Sequence, residues 1–290
     1  MKNSENIPRR PGMSGWRGIL LCCLFLAAPL TDLLAGVLVA PTVIVLSEQN
    51  RTGRMLLRNP GPEPAEVSVR MSFGITQSDS LGQVYVELQD SAITDPRSAA
   101  GWIRPFPRRV VLPPGAEQTV RFVARPPSDL PDGEYWARVV VRSEASNPPE
   151  PVEVPEGEIS ARINTVMQTA ISLKYRTGDL NSQVELSDAE VSRTDSLVKV
   201  MIDLANKGNV SYLGMLNCRL LDADGKEISA MKEHIAVYYD LRRGISLPVT
   251  NGEFRPPFQV ELDISTEGRK DMPASEVIPG NRIEYSMAVE

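Results

Sequence analysis

The stretch "ARINTVMQTAISLKY", Ala161 to Tyr175, decides how the chain is read. Its apolar and β-branched residues alternate, so Ile163, Thr165, Met167, Thr169, Ile171, Leu173 and Tyr175 fall on one face of an extended strand. Just before it, "SEASNPPEPVEVPEGEIS", Ser143 to Ser160, carries five glutamates and four prolines. A segment of that composition cannot bury itself and reads as a solvated, proline-stiffened connection. Apolar alternation resumes after it and stops only at "RTGDLNSQ", Arg176 to Gln183, where polar turn formers cluster. The acidic stretch is therefore a loop inside the first domain, and Ala161 to Tyr175 is that domain's last strand. Negative charge and proline beside a strand also guard its edge against aggregation, which fits a gate that orders when a partner binds.

Working outward, the same period-two pattern recurs on both sides. Upstream it predicts strands at "VLVAPTVIVL", "GRMLLRN", "AEVSVRMSFGI", "VYVEL", "RRVVL", "QTVRFVAR" and "EYWARVVVR", with turns marked by "NPGPEP", "LPPGAEQ" and "LPDGEY". Downstream of Val184 it predicts "VELSDAEVS", "SLVKVMIDLANKG", "GMLNCRLLDADGKEI", "HIAVYYD", "RRGISLPV", "FQVELDIS" and "RIEYSMAVE". No window carries a persuasive helical stripe. The expected class is all-β, with two immunoglobulin-like sandwiches in tandem at residues 37–177 and 178–290.

The first 36 residues read differently. Lys2, Arg9, Arg10 and Arg17 precede the apolar run "GILLCCLFLAAPL", and small residues follow at "LLAGV". That is the layout of a secretory signal peptide with cleavage near Ala35 or Gly36; the other reading is an uncleaved anchor. The run is 13 residues and Asp32 interrupts its continuation, short of the ~20 residues a spanning helix needs. Cleavage would leave an exported chain with no membrane span.

Of the three cysteines only Cys218 lies beyond that segment, so the mature chain has no internal disulfide and must be held by its cores. Removing residues 1–36 takes away four basic and two acidic side chains, leaving 27 against 35, a balance of −8. Nucleic-acid phosphates would repel such a chain. "DADGKE", Asp222 to Glu227, reads as a hairpin turn, since it lacks the ligand spacing and flanking helices of a calcium loop. His234 is the sole histidine, and neither a catalytic triad nor a metal site can be assembled around it, so no enzyme activity and no cofactor are expected. Cys218, among apolar neighbours in "MLNCRLL", reads as a buried free thiol.

Four segments carry a resemblance. These are "LVAPTVIVLSEQNRTGRMLLRNPGPEP", "PFPRRVVLPPGAEQTVRF", "LPDGEYWARVVV" and "TAISLKYR", in that order and spacing across most of residues 37–177. Together they resemble the periplasmic chaperones of pilus (fimbrial) assembly, the PapD-like family. The resemblance implies two immunoglobulin-like sandwiches with a cleft between them. It also implies a mechanism in which the last strand of the first domain is lent to a subunit whose own sandwich is incomplete, and an outer-membrane usher as a further partner. The physics is that of strand addition, where backbone hydrogen bonds supply affinity and alternate side chains enter the partner's core.

Carried onto this sequence, the lent strand presents Ile163, Thr165 and Met167, with Thr169 and Ile171 nearer the domain's own core. Three features depart from the family. Its Arg and Lys anchors for a subunit's terminal carboxylate fall on Val43 and Ser172, neither of which can make a charge-assisted hydrogen bond. Lys174 and Arg176 share a strand face with Ser172 and are the substitutes on offer. Thr165 is polar where a larger apolar residue is favoured, and "LPDGEYWARVVV" is a plain turn into a strand where the family has a longer charged signature. A structural or adhesive envelope protein on the same fold is the alternative reading.

Overall fold

The computed structural model describes residues 36–90, 93–146, 165–249 and 255–289. The expected signal peptide up to Ala35, Ile163 and most of the acidic stretch lie outside the described residues. Apart from one turn of 3₁₀ helix at Ala274–Glu276, the regular structure among the described residues is all strand.

In the first half, β1 (Leu38–Ala40), β2 (Val43–Ser47), β3 (Thr52–Arg58), β4 (Ala65–Ser72), β5 (Thr76–Ser78) and β6 (Val84–Val86) are followed by β7 (Ile103–Phe106), β8 (Arg109–Leu112), β9 (Glu117–Ala124), β10 (Gly133–Ala145) and β11 (Val166–Thr177). One sheet has the order β1-β3-β9-β7 and the facing sheet β2-β11-β10-β4-β8. Their inner faces share a core that includes Leu46, Met55, Val67, Phe122, Leu173 and Tyr175. β9 shows why the sequence folds this way: Val120, Phe122 and Ala124 are buried while Thr119, Arg121 and Val123 point out, the period of a half-buried strand.

In the second half, β12 (Val184–Arg193), β13 (Leu197–Asn206), β14 (Tyr212–Leu221), β15 (Glu227–Val237), β16 (Asp240–Pro248), β17 (Phe258–Ser265) and β18 (Ile283–Val289) form sheets of order β12-β13-β16 and β15-β14-β17-β18. A second, separate core lies between them, with Ile202, Leu204, Leu216, Cys218 and Val260 among its members. The turn read at "DADGKE" joins β14 to β15: Asp222 Oδ1 accepts the amides of Asp224 at 3.0 Å and Lys226 at 2.9 Å, and Gly225 takes a positive φ of 77°.

Several elements differ from the sequence reading, among them β5, which it did not include, and "HIAVYYD", whose first four residues are the end of β15. The run "VLVAPTVIVL" was expected to be a single strand, yet it divides between sheets: β1 pairs with β3, and after Pro41 the chain joins the facing sheet as β2. Proline has no amide to donate, so it is a natural place for a ladder to end. Another is β7, "IRPF", a strand that the sequence reading did not include; it lies at the edge of its sheet, where the missing donor of Pro105 is tolerated.

The two sandwiches meet at a built contact. Trp136 packs edge-on against Tyr238 and Tyr239 with ring centroids 4.9 and 5.3 Å away, and Tyr239 donates its hydroxyl to Asp95 at 3.0 Å. The β5–β6 hairpin leans on β16, where Gly244 donates its amide to Gly82 at 3.0 Å.

Candidate functional site: the half-paired strand β11

β11 has β10 beside it along its whole length, from Val166 opposite Glu144 to Thr177 opposite Gly133. On its other side it has a parallel neighbour, β2, only from Ser172 to Arg176. Among the described residues the edge from Val166 to Ile171 therefore has no strand beside it. The cause is the sheet change at Pro41: the residues that would have continued β2 along this edge are β1, in the opposite sheet.

The side chains on this edge grade from solvent to core. Val166 is 45% exposed and Met167 41%, Thr169 is half-buried, and Ile171 is buried at 4%. Thr165, just before the strand, is exposed. Met167 lies against Gly36, at whose α-carbon an added methyl would come 3.1 Å from Met167 Cγ. Thr165 and Met167 are thus the accessible members of the predicted set, and Ile171 belongs to the domain's own core.

At the inner end of this edge, Val43 and Ser172 stand directly opposite each other in register, each half-buried and uncharged. Ser172's other register partner is Arg138 on β10, but that side chain turns toward the end of β4, where its Nε donates to the carbonyl of Gly74 at 2.8 Å.

Lys174 and Arg176 are deeply buried and share one carboxylate, Glu134 on β10, which is fully enclosed. Lys174 Nζ donates to Glu134 Oε1 at 2.7 Å and Arg176 Nε to Oε2 at 2.9 Å. Trp136 Nε1 adds a third donor at 2.8 Å, and Ser211, from the second sandwich, contributes its hydroxyl and its amide. Lys174 also donates to Ser211 Oγ and lies over the ring of Tyr238, 5.2 Å from its centroid. Arg176 spends a further nitrogen on the carbonyl of Glu276 at 2.9 Å. Burial pushes the Glu134 carboxyl upward, but the charges of Lys174 and Arg176 and the hydrogen bonds from Lys174 and Ser211 outweigh it and hold the pKa at about 2.

The backbone that carries Glu134 is set by its neighbour. Gly133 has a φ of 135°, and a Cβ there would sit 2.5 Å from the carbonyl oxygen of Asn209. Only glycine lets "LPDGEY" approach the second sandwich closely enough for Glu134 to reach Ser211. Sequence reading treated this stretch as a turn and missed Glu134; the one signal available was a charged residue next to a glycine at the head of an apolar strand. Among the described residues no cluster of His, Cys, Asp and Glu side chains could hold a metal ion, and no helix is long and apolar enough to cross a membrane.

No protein-family model matches the chain, and comparison with curated proteins finds no match. Among solved structures the chain is similar to several chaperones, among them ones described as a fimbriae chaperone and a periplasmic chaperone. One is the YadV chaperone, at 14% identity and TM-score 0.44, covering 87% of this chain and 98% of that one. A second is the Pseudomonas aeruginosa CupB2 chaperone, at 11% identity and TM-score 0.42, covering 87% and 100%. A third is the complex of the Salmonella enterica SafA pilin with the SafB chaperone, at 13% identity and TM-score 0.43, covering 87% and 96%.

Proposed function

We propose that the chain is a periplasmic, non-enzymatic, chaperone-like protein that holds fimbrial or other secreted subunits by lending them the free edge of β11. The observation that carries this reading is the half-paired state of that strand. Six consecutive residues, Val166 to Ile171, are ordered by β10 on one side and offer backbone donors and acceptors on the other. An unpaired edge is a template for strand addition, and here exposed Met167 and Val166 supply apolar contacts for the added partner. The saturation of Lys174 and Arg176 by Glu134 supports a role in joining the two sandwiches over the anchor role that the sequence offered for them.

The test is capture of a co-expressed fimbrial subunit whose sandwich lacks its last strand. The Ile163→Asp, Met167→Asp double variant loses the subunit in pull-down while remaining folded. Undiminished capture by the variant overturns the reading. The uncharged pair Val43 and Ser172 favours a second reading, a structural or adhesive envelope protein; on that reading the unaltered chain captures no subunit at all.

A further inference from the structure

Where β7 turns into β8, the first sandwich gathers cations that have no counter-charge. Arg104, Arg108, Arg109 and Arg125 line an open groove of about 640 Å³ with Phe106 and Val123, and no acidic side chain lines it. Arg54 and Arg121 continue this exposed surface on the outer faces of β3 and β9. None of these arginines has an ion-pair partner among the described residues, whereas Arg58, Arg142, Arg219, Arg243, Arg269 and Arg282 each face a carboxylate. Glu117, the acid on the outer face of β9, is itself 3.8 Å from Arg58. In a chain of formal charge −6, such a gathering reverses the sign of the surface locally.

Apolar side chains alternate with the cations on this face. Phe106 lies opposite Arg121 in register, and Arg104 lies opposite Val123. Along each strand the same residues alternate again, Arg104 with Phe106 and Arg121 with Val123, so each of these guanidiniums has an apolar neighbour both along and across the strands. Phe106 is 75% exposed, the most exposed large apolar side chain among the described residues, and Leu38, Leu56 and Val123 are exposed on the same sheet.

We infer that this face docks the protein on an anionic phospholipid surface. A protein partner is met by an apolar patch depleted of charge at its centre and ringed by polar residues. Here cations and apolar side chains are mixed residue by residue, which suits a headgroup layer. The guanidiniums bind lipid phosphates through paired hydrogen bonds, and Phe106 and Val123 enter between the headgroups. Such binding adds charge attraction to the burial of apolar area, so each part can be removed separately. β11 lies in the facing sheet, and the inference does not depend on the reading of its free edge.

The test is co-sedimentation of the full mature chain with vesicles of phosphatidylcholine, either alone or with one third phosphatidylglycerol. Affinity is about tenfold higher for the anionic vesicles and falls as salt is added. The Arg104→Gln, Arg108→Gln, Arg121→Gln variant, altered only at exposed positions, erases that preference. Phe106→Ser lowers binding to the anionic vesicles with no change of charge. Phe106→Trp adds emission, beyond that of the unaltered chain, which lipid with brominated chains quenches. Equal binding to the two kinds of vesicle, a preference that survives the arginine variant, or added emission that brominated lipid leaves unquenched overturns the proposal. Polyglutamate in solution tests the other occupant: if it binds as tightly as the anionic vesicles and Phe106→Ser weakens neither, the face is a site for an acidic polypeptide and the lipid assignment fails.

Discussion

Glu134 Oε1 lies 2.7 Å from Lys174 Nζ, and neither side chain has meaningful contact with solvent. The pair spans adjacent strands of one sandwich, and Ser211 from the other closes it. A buried ion pair is weak evidence for net stability, but removing one partner strands the other charge. Glu134→Ala therefore costs about 3–5 kcal/mol, read as a lower midpoint in urea unfolding. A loss under about 1 kcal/mol, the scale of an exposed pair, contradicts the enclosure described above.

The same carboxyl sets an acid limb. Its folded pKa of about 2 lies below the ordinary value of 4.5, so the stabilisation is complete above about pH 4.5 and drains away as pH falls toward 2. The depression corresponds to roughly 3 kcal/mol at full strength. Unfolding free energy of the unaltered chain falls through that window more steeply than that of Glu134→Gln. Parallel curves for the two proteins contradict the assignment.

Met167 and Ile171 sit four residues apart on one face of β11, the first exposed and the second buried. Ile171→Ala opens a cavity in the first core and costs about 2–4 kcal/mol of stability. Met167→Asp, at an exposed site, changes the unfolding midpoint little, and on the proposed function it lowers subunit capture. Reversal of that order by urea titration removes the distinction between the buried and the exposed residues of β11.

Gly133→Ala places a Cβ 2.5 Å from the Asn209 carbonyl at a φ of 135°. The substitution costs more than the ~1 kcal/mol of an ordinary glycine-to-alanine change, because the backbone conformation is unfavourable and the contact between sandwiches has to open. Thermal unfolding is the measurement, and a stabilised variant contradicts the geometry.

Burial raises the Cys218 thiol to about 12. A thiol-reactive dye at pH 8 leaves the native chain unlabelled and labels it fully in denaturant. Rapid native labelling places Cys218 outside the second core.

Much of this architecture was legible residue by residue. Alternation in "QTVRFVAR" named the strand, and the structure buries its alternate residues Val120, Phe122 and Ala124, because a local period of two turns one face inward. The hairpin at Asp222 was readable because its turn chemistry is contained in a few adjacent residues. Pro41's consequence was not: a proline ends a ladder locally, but which sheet receives the next strand depends on partners far along the chain. Lys174 and Arg176 were visible as cations on one strand face, and their commitment to Glu134 was not, since that carboxylate lies 40 residues away and becomes a partner only across the sheet.

By itself the sequence determined the class, the two-sandwich plan and a strand through Val166 to Tyr175, because hydrophobic periodicity and turn residues act over distances of a few residues. The tertiary structure decided that only part of β11 has an unpaired edge among the described residues and that its two cations are spent internally. Those relations come from strand order and register, which are fixed by packing between residues distant in the chain.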